Sequence, residues 1–103
     1  ISLLILSGCA GSGIKEEKLK PLIKKINAIE VYNSCSLPKT NLKTGNIAKK
    51  YNLGGTGGSD SHDPIYAGDA YTIIDTTDYS LDSILNEIEK KKTWGKGKTF
   101  PLS

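Results

Sequence analysis

The chain has 103 residues, with no arginine, no methionine, one histidine, one tryptophan and two cysteines. The missing arginine excludes most. All 14 basic residues are lysine and the formal net charge is +3. Lysine is a flexible point charge and a poor choice for bidentate contacts to a phosphate or a guanine edge. The lysines are also scattered among glutamates along helical patterns. They read as solvated faces, and there is no strong nucleic-acid signal. With no methionine, Ile1 reads as a processed end or the boundary of a longer chain. Two cysteines are too few for a disulfide framework, and Cys9 and Cys35 match no zinc spacing. They read as unpaired thiols of a cytoplasmic protein, with a Cys9–Cys35 disulfide as the alternative. No apolar run is long enough to span a bilayer. The apolar fraction of 37% fits a folded globular class, and the length fits one domain.

Residues 2–6 are a short apolar run that reads as a buried strand, ended by Gly8, Gly11 and Gly13. Leu19, Leu22, Ile23 and Ile26 recur at helical spacing. Pro21 divides that stretch into a first turn over 15–19 and a second short helix that begins near the proline. Residues 28–32 predict a strand, and 38–52 a helix with Leu42, Ile47, Ala48 and Tyr51 facing inward. A glycine-rich strand follows over 53–58, then a polar turn over 59–64. Residues 70–75 predict a strand and 78–92 a helix. Ser80 is its cap, Tyr79 and Ile84 a hydrophobic staple, and Lys90, Lys91 and Lys92 its cationic end. Residues 94–103 read as an extended tail. The alternation of strand and helix predicts an α/β fold with mainly parallel strands.

In such folds chemistry collects at the C-terminal ends of the strands. Gly57-Gly58-Ser59-Asp60-Ser61-His62 would stand at such an end. An extended Asp-x-His places carboxylate and imidazole on one side of the chain, because side chains alternate with period two. Oxygen and nitrogen donors of this kind suit zinc, manganese or iron(II). The residues alone leave a second reading open, an Asx-turn beside a surface histidine. Two ligands also fall short of a working centre, which needs at least three protein groups.

Four segments together resemble the C-terminal part of the PHP (polymerase and histidinol phosphatase) superfamily of metal-dependent phosphoesterases. They are Ala28-Ile29-Glu30-Val31-Tyr32-Asn33, Ala48-Lys49-Lys50-Tyr51-Asn52-Leu53, Gly57-Gly58-Ser59-Asp60-Ser61-His62 and Gly68-Asp69-Ala70-Tyr71-Thr72. The resemblance spans about residues 14–100, with 1–13 as a leading strand and loop. It implies a distorted (β/α)7 barrel and a cluster of divalent ions, Zn, Mn, Fe or Mg, at the strand ends. It implies hydrolysis of a phosphorylated small molecule or nucleotide. Its last metal motif falls on Asp60 and His62. Ser59 and Ser61 would hydrogen-bond around those ligands. Glu30 and Asn33 match a recurrent strand without carrying a ligand role. In an alternating strand Glu30 shares a face with Tyr32 and could equally pair with a lysine.

The remaining histidines of that family are not in this sequence, since His62 stands alone. Gly8 falls where an Ala-His-Pro histidine is expected. One explanation is a fragment whose missing N-terminal barrel strands hold the other ligands. Exposed strand edges would then favour pairing with that part or self-association. A second is a catalytically inactive module that binds metal or a partner. A third is a small membrane-anchored lipoprotein, with Leu6-Ser7-Gly8-Cys9 as a lipobox and Cys9 lipidated.

Overall fold

The structure is a computed structural model that describes residues 14–99 and the backbone of 5–6. Strands β1 (Ile5–Leu6), β2 (Ala28–Asn33) and β3 (Gly54–Gly58) form a parallel sheet in the order β1-β2-β3. Strands β4 (Ala70–Ile73) and β5 (Trp94–Gly97) form a separate antiparallel pair. Helices α1 (Glu16–Leu19), α2 (Pro38–Lys50) and α3 (Leu81–Glu89) complete the regular structure, with short 3-10 turns at Lys20–Lys25 and Pro64–Tyr66. The α/β class is as expected, but the mainly parallel arrangement holds only for β1 to β3. The expected tail is corrected at Trp94–Gly97, which is a strand paired with β4. Residues 100–103 lie outside the described residues, as do Ser7, Gly8 and Cys9 of the lipobox reading. No helix among the described residues is long and apolar enough to cross a membrane.

The split at Pro21 forms as its chemistry requires. Helix α1 gives way to the 3-10 turn with Pro21 in the opening positions, where its missing N–H costs nothing. Leu19 and Ile26 bury themselves against Ile29, Val31, Ile47, Ala48 and Leu53 to make the core. Helix α2 presents a different stripe from the one its apolar residues suggest. Asn41, Thr44, Gly45, Ile47 and Ala48 face inward, while Leu42 is 67% exposed. The reason is that polar and small residues on this face serve the strand ends and make room for a tryptophan.

Both longer helices end in Schellman turns. After α2, Asn52 takes φ 54° and Leu53 N–H donates to Ala48 O. After α3, Lys91 takes φ 63° and Lys92 N–H donates to Glu87 O. Ser80 caps α3, its hydroxyl accepting from Ser83 N–H. The expected staple does not form, because Tyr79 is exposed. Leu81 and Leu85 are exposed as well, so the apolar stripe of α3 is buried mainly at Ile88.

The β4–β5 pair docks on the edge of β3 that β2 leaves open. Gly55 N–H donates to Thr93 O at 2.8 Å, and Thr93 Oγ1 donates to Gly55 O at 2.8 Å. Gly57 N–H donates to Thr72 Oγ1 at 3.0 Å. Each pairing satisfies a backbone group that an open edge would leave exposed.

Candidate functional site

Strands β2 and β3 end side by side, with Asn33 paired opposite Gly58. Asn33 is the hub of what gathers there. Its Nδ2 donates to Glu30 Oε1 at 3.0 Å and to Asp60 Oδ2 at 3.4 Å. Its Oδ1 accepts from Cys35 N–H at 2.7 Å, which fixes which way the amide faces. Its own backbone is held by α2. Asn33 N–H donates to Asn41 Oδ1 and Asn41 Nδ2 donates to Asn33 O, both at 3.0 Å and both buried.

Glu30 and Asn33 are three residues apart, so strict alternation would put them on opposite faces of β2. The register against β3 shifts between Glu30 and Tyr32, with Glu30 opposite Thr56 and Tyr32 opposite Gly57. That extra residue resets the phase and turns both side chains to the same side. Glu30 therefore meets Asn33 rather than a lysine. Gly58 leaves the space, since a β-carbon there would sit 3.1 Å from Glu30 Oε2. Two carboxylates thus share one amide nitrogen, an arrangement of like charges that a cation would relieve.

The segment after β3 turns sharply at Asp60, which has φ 54°. Aspartate tolerates this left-handed conformation better than most residues. The period-two argument that put Asp60 and His62 on one side does not carry across such a residue. Ser59 Oγ accepts from Ser61 N–H at 3.2 Å, and Ser61 Oγ donates to Asp63 O. Both serines thus brace the turn. His62 is exposed. The structure joins Glu30, Asn33 and Asp60 through hydrogen bonds and leaves His62 at the rim. Among the described residues there is no group of three or more His, Cys, Asp or Glu placed to hold a metal ion.

Two participants were not legible as such. Cys35 is a free thiol whose Sγ–H faces Asp60 O at 3.4 Å and Ser59 O at 3.6 Å. Burial, and then the charge of Asp60, push the thiol above its ordinary value. Asn41 is the other. Its signal was a polar residue one turn of helix before Thr44 and Gly45, on the stripe that Ala48 shares, masked by the apolar Leu42 beside it.

Residues 38–93, from the start of α2 through α3 to Thr93, match the PHP-associated family. The chain belongs to that family. Neither a curated protein nor a solved structure matches it. The PHP-associated segment contains Asn41, Gly58 and the whole Ser59–His62 turn, while Glu30 and Asn33 come from β2 and Cys35 from the turn that follows it, both before the matched residues.

Proposed function

We propose that this chain supplies one corner of a divalent-metal phosphoesterase centre, with Asp60 and His62 as ligands. The observation that carries the reading is the pair of carboxylates, Glu30 and Asp60, oriented by one Asn33 amide at the ends of two parallel strands. Family membership over the Asp60–His62 turn supports it. The donor chemistry, carboxylate oxygen and imidazole nitrogen, fits Zn, Mn, Fe or Mg. A bound divalent ion would supply an activated water and offset charge on phosphoryl oxygens of a phosphorylated small molecule or nucleotide. The chain's own residues do the positioning. Asn41 holds Asn33, Asn33 aims Glu30 and Asp60, and Gly58 leaves the carboxylate its room.

The remaining ligands, on this reading, come from further strands of a distorted (β/α)7 barrel, of which β1 to β3 are consecutive members. The exposed Leu81 and Leu85 of α3, with the exposed Tyr79 just before its cap, fit a surface that such strands, or a second copy, would cover. An unfolding midpoint independent of protein concentration, with a sharp monomeric transition, would count against this.

The test of the metal reading uses the single histidine. His62 gives one set of imidazole proton resonances, and paramagnetic Mn²⁺ broadens a nucleus in its coordination sphere. Stepwise Mn²⁺ is expected to broaden those signals first, and Asp60→Ala to abolish the effect at the same metal concentration. Signals that stay sharp, or broaden equally in Asp60→Ala, would sink the assignment.

A further inference from the structure

A cleft of about 410 Å³ lies between α2 and β5, lined by Val31, Tyr32, Leu42, Lys49, Tyr71, Trp94 and Lys96 among others. It belongs to the other face of the sheet from Glu30 and Asp60. On β3, Gly55 faces Val31 and Trp94, whereas Gly58 faces Glu30. The carboxylates of the proposed metal centre do not line this cleft, although Asn41, which holds Asn33, does.

Trp94 packs against two glycines, of which Gly55 is the one its position requires. A β-carbon built on Gly55 would lie 2.8 Å from Trp94 Cε3, and one on Gly45 would lie 3.4 Å from Trp94 Cζ2. Gly45 is inside α2, where glycine costs about 1 kcal/mol relative to alanine. The ring stays at ordinary contact distance from that position, so an alanine there would still fit. Lys49 Nζ stands 5.3 Å from the Trp94 ring centroid, within cation–π range. Tyr71 and Tyr32 supply further aromatic surface.

The charge of the cleft is one-sided. Lys49 comes from α2 and Lys96 from β5, and no aspartate or glutamate lines the space. Most lysines of the chain are unpaired, and among the described residues only Lys50, Lys90 and Lys98 stand beside a carboxylate; what sets Lys49 and Lys96 apart is their place at an aromatic-walled cleft. Lys49 and Lys96 have no carboxylate partner among the described residues. Asn46 adds an amide to the lining. A volume in the range of small-molecule sites, aromatic walls and two unpaired ammonium groups from separate elements together define a ligand chemistry.

We propose that this cleft binds a planar aromatic anion of nucleotide size, its ring packed among Trp94, Tyr71 and Tyr32 and its anionic group held by Lys49 and Lys96. An uncharged ring would use the aromatic walls alone, and a bare anion the two lysines alone. A molecule with both parts matches the whole lining.

Trp94 is the only tryptophan in the chain, so its fluorescence reports on the cleft alone. The full chain is titrated with adenosine monophosphate, with adenosine, and with inorganic phosphate. The monophosphate is expected to quench Trp94 saturably with a Kd of about 1 mM or tighter. Adenosine and phosphate should each bind at least about tenfold more weakly, the loss expected when one charged or one stacked contact is removed. Lys96→Gln and Lys49→Gln should each weaken the monophosphate by about tenfold. Both lysines are exposed, and circular dichroism of each variant verifies that the fold is kept. An aryl carboxylate in place of the monophosphate tells whether the anion must be phosphate. Binding of either supports the proposal. It is overturned by the absence of saturable quenching with both anions, by equal binding of adenosine, by equal binding of phosphate alone, or by lysine variants that bind as tightly as the parent.

Discussion

Replacing Asn41 by alanine tests whether a helix side chain holds the end of β2. Its two 3.0 Å hydrogen bonds satisfy the backbone N–H and C=O of Asn33, and both residues are buried. Alanine removes both partners. A buried backbone group left unpaired costs about 1–3 kcal/mol. Two such groups give about 2–6 kcal/mol, less the roughly 0.5 kcal/mol that alanine gains in helix propensity. The expected loss is about 2–4 kcal/mol once the site relaxes, a large share of the roughly 5–15 kcal/mol that holds a domain of this size. Urea unfolding followed by far-ultraviolet circular dichroism measures it, and the midpoint should fall with little change in slope. Asn46→Ala, on the exposed side of the same helix, is the control and should move stability by less than about 0.5 kcal/mol. A loss below about 1 kcal/mol in Asn41→Ala would refute the clamp. It would also remove the reason for regarding Asn33 as fixed.

Gly55→Ala should destabilise by about 1–3 kcal/mol, because its β-carbon would press on Trp94 Cε3 and Val31 Cγ2 at 2.8 Å. Gly45→Ala should be neutral or stabilising by up to about 1 kcal/mol, since its β-carbon meets Trp94 at 3.4 Å and the helix gains propensity; thermal unfolding of the pair distinguishes the two. Lys91→Gly should raise stability by a few tenths to about 1 kcal/mol, because Lys91 sits at φ 63° after α3 with no glycine to relieve it. In the strap between α1 and α2, Lys50 and then Tyr51 hydrogen-bond Glu16 and hold its carboxyl below its ordinary value, while the same contact raises Lys50. The Glu16 contribution is therefore present above its unfolded-state value and lost as pH falls through the lowered folded-state value. Glu16→Gln should narrow the stability difference from the parent in acid and leave it open at neutral pH, as read by urea midpoints across that range.

How far the sequence could be read depends on what each element rests on. The break at Pro21 follows from a missing N–H and a fixed φ, which are properties of one residue. Strand β2 and the cap at Ser80 are similarly local. The facing of α2 is not. Its apolar periodicity pointed Leu42 inward, but the buried stripe is Asn41, Thr44 and Gly45, chosen by a strand end and a tryptophan distant in the chain. The same applies to Trp94–Gly97. Glycine and lysine gave no strand signal there, and pairing with β4 and contact with the glycines of β3 supplied what propensity lacked. At the site, Glu30 and Asn33 looked unrelated because alternation separates them. A one-residue shift in register, which no local pattern announces, brings them together.

The glycines of β3 bear on both faces of the sheet at once. On one face, Gly57 would carry a β-carbon 2.4 Å from Tyr71 O, and on β5 Gly95 would carry one 2.2 Å from Thr56 O. The β4–β5 pair can therefore approach β3 at backbone distance only because Gly57 and Gly95 have no side chains where they meet it. On the other face, Gly58 gives the Glu30 carboxylate its place beside Asn33. Glycine makes a poor strand, with more entropy to lose and no side chain to pack. Here that weakness is offset by neighbours, since Thr93 and Thr72 bond the exposed edge and Trp94 fills the space above Gly55. A residue chosen for strand propensity at any of these positions would strengthen β3 alone and separate the parts it joins. The composition that made this strand hard to read from sequence is thus the condition for the carboxylate pair on one face and the aromatic cleft on the other.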